Sequence, residues 1–267
     1  MSSHEPHKIK TVRLLSFPSM EERKQFLAEA HFNVFNLTPA QLTFDMCSLG
    51  TSAMSQEQLA GQFIGDEAYA GSRNFAALER AVHEVLGHTY VCPTHNVLGC
   101  VKLVVATMVP PGSVLPSNAR TRLDTLKPMG VAYPNVRDTA EPVFTGNMDL
   151  TKLEETLNRD DVALVGLQAF ADGQHPFSLE NLRAVRAMAD THGKRLVCDG
   201  SRVIENAWYI QRYESGQADR SIADIVKQIV KTTHVFQIDG AQDPKGNTGG
   251  ILTTDNPDDH EKFMNEV

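Results

Sequence analysis

Apolar residues at Phe75, Leu78, Val82, Val85 and Leu86 recur at helical spacing, with Asn74 placed to cap the helix and Gly87 to stop it. The run Thr89-Tyr90-Val91-Cys92 reads as the strand that follows. Farther along, the pattern repeats in kind. A helix over 150–157 precedes a buried strand over 162–167, and a helix over 179–192, capped by Ser178, precedes a strand over 195–198. The stretch from Ser221 to Val230 gives another helix, with an i to i+3 match to a capping box. Two strands, over 234–238 and 250–253, are joined by a turn-rich segment from Asp239 to Gly249. Strands alternating with helices of this length predict βαβ units, hence an α/β fold whose mostly parallel sheet is covered on both faces. Nearer the start, the polar stretch from Glu21 to Ala30 predicts a helix, preceded by an extended arm from Lys8 to Leu15. Asn256, Pro257, Asp258 and Asp259 open a last helix, and the sequence stops about two turns later, as if cut in mid-element, the alternative being a short terminal helix that docks on the sheet.

Composition narrows the partners. A chain of 267 residues that is 41% hydrophobic buries a sizeable core, and its formal charge of −8 argues against nucleic acid or an anionic membrane surface. The N-terminus has no apolar core of an export signal, and the long apolar stretch from Val97 to Val109 is broken by Cys100 and Lys102 and ends in Pro110-Pro111. A cytoplasmic protein is expected. Cys47, Cys92, Cys100 and Cys198 lack a regular spacing and read as buried, reduced thiols; no histidine pair has metal-ligand spacing.

Candidate chemistry begins at a strand end. In an open α/β sheet, ligands sit beyond the carboxyl ends of the strands, where Asp199 is followed by Gly200, Ser201 and Arg202. A carboxylate there could hold a cationic ring nitrogen, or it could simply cap the next helix.

Two distant motifs decide between these. The segment Gly65-Asp66-Glu67-Ala68-Tyr69-Ala70-Gly71-Ser72-Arg73-Asn74-Phe75, with Gly50-Thr51-Ser52-Ala53-Met54-Ser55 before it, resembles the signature of the tryptophanase and tyrosine phenol-lyase family. The run from Asp199 through Arg202, Glu205, Asn206 and Ala207 resembles a second signature of the same family. The likeness extends from Lys8-Ile9-Lys10 to Gly249-Gly250, through Pro93-Thr94-His95, Pro176, Ser178 and the segment from Ser221 to Ile225. It implies a pyridoxal phosphate (PLP) dependent fold of the aspartate aminotransferase type, fold type I. Residues 1–45 would form an arm and helix, and 46–267 the large cofactor domain, with the family's C-terminal small domain absent. By the same resemblance Tyr69 assists the leaving group, Asp199 and Arg202 contact the cofactor ring, and Asn96 and Ser201 complete the cofactor contacts. The implied activity is β-elimination from an aromatic amino acid, in a homo-oligomer or in a hetero-oligomer with a full-length homologue.

Departures from the family pattern lie at the centre of that chemistry. Where the family continues Gln-Gly-Arg-Gly after Pro93-Thr94-His95, this chain has Asn96-Val97-Leu98-Gly99, so the arginine that receives the phosphate becomes Leu98. Phe170 replaces a ring-contacting asparagine. Aligning Asp243 and the Gly249-Gly250 strand start puts Ala241 and Gln242 at the family's two lysines, and glutamine forms no Schiff base. Lys245 stands three residues later as a substitute nucleophile. The expectation is a catalytically impaired relative; the alternatives are a noncatalytic remnant that binds a full-length homologue, and a protein that reuses the cleft for a small ligand.

Overall fold

Five strands, β1 (Tyr90–Thr94), β2 (Leu164–Gln168), β3 (Arg195–Asp199), β4 (Val235–Asp239) and β5 (Gly250–Thr254), form one sheet in the order β1-β5-β4-β3-β2. The computed structural model describes residues 16–43, 56–66, 71–119, 130–132, 134–138, 140, 142–244, 246 and 249–267. The chain divides into two units, 1–64 and 65–267. The first contains the helices α1 (Met20–Glu29) and α2 (Gln56–Phe63), and α1 opens on a reciprocal capping box between Ser19 and Glu22.

In the second unit β2, β3 and β4 run parallel, while β5 is antiparallel to both β4 and β1. The sheet is therefore mixed, with a parallel core. Outside β2 the ladder continues. Residue 114 bridges Val162 and Ala132, and Ser117 bridges Gly166 and Asn135, all in parallel. The sequence pattern does not mark these two extra rows, because Pro116 and Pro134 interrupt their apolar alternation.

Alternation along the strands sorts the core into two layers. Leu196, Cys198, Phe236 and Ile238 face a cluster that includes residues of α3 (Arg73–Val85), α5 (Leu150–Leu157), α6 (Leu179–Thr191), α7 (Val203–Tyr213) and α8 (Ile222–Thr232). Val197, Val235, Leu164 and Leu252 face α4 (Val97–Met108) and Phe263 of α9 (Pro257–Asn265). The apolar run beginning at Val97 is thus a buried helix, and no described helix is long and apolar enough to cross a membrane. Cys92, Cys100 and Cys198 are free and buried, with burial pushing the Cys100 thiol up to about 12. Cys47 lies outside the described residues.

The caps mostly follow the sequence. Ser178 accepts from Asn181 N, and Asn256 accepts from Asp259 N with Pro257 in the first turn. Two differ. The α3 cap is Ser72, which accepts from Asn74 N and Phe75 N, while the Asn74 amide donates instead to Asp66 O. At α8, Ser221 accepts from Asp224 N but turns its hydroxyl proton to the Asp224 carboxylate, so the box closes through the side chains.

At the end of the sheet opposite the strand carboxyl termini, His234 is held as a neutral imidazole. Leu196 N–H donates to its Nδ1 at 2.9 Å, and its Nε2 lies 2.9 Å from Asp190 Oδ1. Burial, then the Arg186 charge, lowers its pKa from 6.5 to about 4. The native state thus favours the neutral form, so the stability contributed is fully present above pH 6.5 and is lost as pH falls towards 4. The loss amounts to about 3 kcal/mol over that window. Urea midpoints measured between pH 7 and 4 should show this slope, and His234→Gln should flatten it; an unchanged slope in the variant would refute the assignment.

Candidate functional site

At the carboxyl ends of the parallel strands the register sets three polar side chains in a row on the α4 face. Gln168 of β2 pairs with Asp199 of β3, and Asp199 pairs with Gln237 of β4. Asp199 Oδ1 accepts from Ser201 N at 3.0 Å and from Ser201 Oγ at 2.7 Å, so the capping-type turn and the candidate site share one carboxylate. Among the described residues its Oδ2 has only a long contact from Gln168 Nε2, 3.4 Å. Gly200 follows because a Cβ there would collide with the Phe236 ring. Arg202 then enters the left-handed region at φ 62° to start α7, an uncommon conformation for a branched-headgroup side chain, and its Nη1 lies 3.4 Å from Gly173 O.

The loop after β2 forms one wall of the site. Phe170, Asp172 and Gly173 all have positive φ, and Asn206 of α7 pins this loop from beneath. Its Oδ1 accepts from Phe170 N and Phe177 N, while its Nδ2 donates to Phe177 O. Phe170 turns its ring to Tyr209, with centroids 5.6 Å apart. Asp172 N donates to Gln168 Oε1, and the Asp172 carboxylate lies 3.7 Å from Arg137 Nη1. Arg137, Gln168 and Gln237 escape the sequence reading, and Asn206 enters it only as part of a motif, without its role beneath the loop. A glutamine within a strand carries no local signal, and Arg137 reaches the loop only through the extra ladder.

The other wall comes from the turn after β4. Ala241 N donates to Asp239 Oδ1 at 2.8 Å, and Asp243 Oδ2 accepts from Val203 N at 3.0 Å, which ties this turn to the first turn of α7. Ala241 is buried and Gln242 half-buried. At the N-terminus of α4, Asn96 Oδ1 accepts from Gly99 N at 3.1 Å. Val97 is buried and Leu98 exposed, and Thr94 Oγ1 donates to Asn96 O while the Cys100 thiol lies 3.2 Å from the same hydroxyl. Gly250 passes so close to Asn96 and Thr94 that no Cβ fits. Tyr69 and Lys245 lie outside the described residues.

The strand order, the parallel core and a carboxylate at the end of β3 define an α/β domain of PLP fold type I. Solved structures carry the same fold at 15% identity: metB from Corynebacterium glutamicum, with TM-score 0.54 over 87% of this chain and 54% of that one, and apo CalE6, a methionine gamma lyase from Micromonospora echinospora, with TM-score 0.51 over 72% and 46%. Residues 41–263 match the beta-eliminating lyase family, and the chain belongs to it. It is 37% identical to tyrosine phenol-lyase of Clostridium tetani over 93% of its length, and 34% identical to that of Nostoc punctiforme over 98%. Tryptophanase of Hyphomonas neptunium is 34% identical over 94%. The chain spans 57%, 59% and 58% of these relatives, respectively.

The family uses PLP, and the site fits only part of it. Asp199 Oδ2 retains capacity for a ring N–H. At the phosphate end, however, the Asn96 side chain already occupies the Gly99 N–H, and Leu98 supplies no charge. Where the resemblance leads one to expect the cofactor lysine, the positions before Asp243 are filled by a buried alanine and a half-buried glutamine. These residues do not fit the whole cofactor.

Proposed function

We propose that this chain keeps the cleft of a PLP-dependent β-eliminating lyase for an aromatic amino acid, of the tryptophanase and tyrosine phenol-lyase kind, without turning that chemistry over. The observation that carries the reading is the bond from Val203 N to Asp243 Oδ2. It holds the turn that carries Ala241 and Gln242 against the start of α7, which supports the reading that these two residues stand where the family has its lysines. An amide has no nucleophilic lone pair for a carbonyl.

The test is to incubate the purified protein with PLP, record its absorption, reduce with borohydride and map pyridoxyl-lysine by mass spectrometry. The expected result is no stoichiometric adduct on any single lysine. A stoichiometric adduct on Lys245, with release of indole, phenol or pyruvate that Lys245→Ala abolishes, would restore the enzyme. A second reading, in which the cleft serves a small ligand without phosphate, is favoured by the cavity beside Asp199 and Gln237.

A further inference from the structure

Between α4 and the sheet lies a cavity of about 50 Å³, floored by Val105, Val109 and Leu164 and bounded at the strand ends by Asp199 and Gln237. Its walls are almost wholly apolar, and its two polar side chains are neighbours in the β3–β4 register. Gln237 is only 6% exposed, yet its Oε1 has no hydrogen-bond partner among the described residues. A buried carbonyl oxygen without a donor is costly, and such orphans in native structures call for an explanation. Beside it, the Asp199 Oδ2 atom has, among the described residues, only the 3.4 Å contact from Gln168. The end of the cavity therefore presents two acceptor atoms, one of them on an acidic side chain, above an apolar slot.

We infer that this cavity binds a small primary aliphatic ammonium, its N–H donors shared between Asp199 Oδ2 and Gln237 Oε1 and its alkyl body in the slot against Val105 and Leu164. The inference rests on the reading that no cofactor ring occupies Asp199. Acceptors select a donor headgroup, and three N–H bonds on one nitrogen suit acceptors on two neighbouring side chains better than a hydroxyl with a single proton. Charge selects a cation over a neutral amide. Volume limits the body: a cavity of roughly 150 Å³ admits the six carbons of benzene, so this one takes about two carbon atoms. Ligands of that size bind at about millimolar strength.

Ethylammonium chloride is the probe, titrated into the full chain at constant ionic strength with thermal unfolding as the readout, since a ligand specific for the folded state raises the midpoint. A saturable rise is expected, absent with ethanol and with sodium chloride. Asp199→Asn, which keeps the shape and removes the charge, should weaken binding at least tenfold, and Val105→Phe, which fills the slot, should abolish it. No saturable rise, an equal rise with ethanol, or a crystal structure with water alone between Asp199 and Gln237 would overturn the inference. A stoichiometric PLP adduct in a protein that also binds ethylammonium would remove the noncatalytic reading alone. Failure of ethylammonium in a protein without an adduct would remove the ammonium site alone.

Discussion

A protein carrying Gln242→Lys, Val97→Gly and Leu98→Arg is expected to trap PLP as a stoichiometric pyridoxyl-lysine at position 242, where the parent yields none. The three changes address the two places at which the site fails the cofactor. The lysine supplies the amine next to Asp243, whose bond to Val203 N holds that turn against α7. The arginine supplies a charge at the first turn of α4, where a charge-assisted bond to phosphate contributes about 1.5–3 kcal/mol, or roughly 10- to 150-fold in affinity. The glycine removes a Cβ from the approach. Gln242→Lys alone should give a partial adduct that disappears on dialysis before reduction. If the triple variant forms no adduct, the obstacle lies in the wall built by Phe170, and the Gln242 explanation fails.

Asn206→Ala should destabilise the domain by about 4 kcal/mol, measured by urea unfolding. Asn206 is fully buried, and its single amide serves three backbone groups of the loop over 170–177. Alanine leaves Phe177 N–H and C=O without partners in a place water does not reach, and each orphan costs about 1–3 kcal/mol. The variant should also lose the ordered wall that carries Asp172, so proteolysis near residue 172 should accelerate along with the shift in midpoint. Glu205→Ala, on the neighbouring exposed position, is the control and should change stability by less than about 0.5 kcal/mol. Equal effects from the two substitutions would show that the loop is not held through Asn206.

Much of this architecture is written locally. Ser178 and Asn256 announce helix starts because a side-chain oxygen before an apolar helical pattern has one efficient use, to accept a first-turn N–H. Asp199 stands out because an acid at the end of a buried strand is unexpected as packing. Other features depend on partners far away in sequence. The direction of β5 leaves no trace in its residues, since a buried strand reads alike in either sense. Arg202 gives no sign of its left-handed backbone, which the close passage of Gly200 over Phe236 and the start of α7 impose together. Asn74 looks like a cap as good as Ser72, and only the carbonyl of Asp66 draws its side chain away. At the site, Gln168 and Gln237 gain meaning only when pairing sets them on either side of Asp199.

The antiparallel insertion of β5 also has a consequence for how the chain is made. β1 finds its strand partner in β5, and His88, just before β1, meets Thr253 across 165 positions of sequence. At about 5–20 residues per second, a ribosome needs roughly ten to thirty seconds to deliver that partner. Throughout this interval the edge of β1 and the apolar sides of α4 remain without their final cover, while the β2, β3 and β4 ladder can already close on sequence-near neighbours. The end of the domain that faces Asn96 is consequently the last to be assembled, and nascent chains stalled before β5 should be captured by chaperones through the α4 segment.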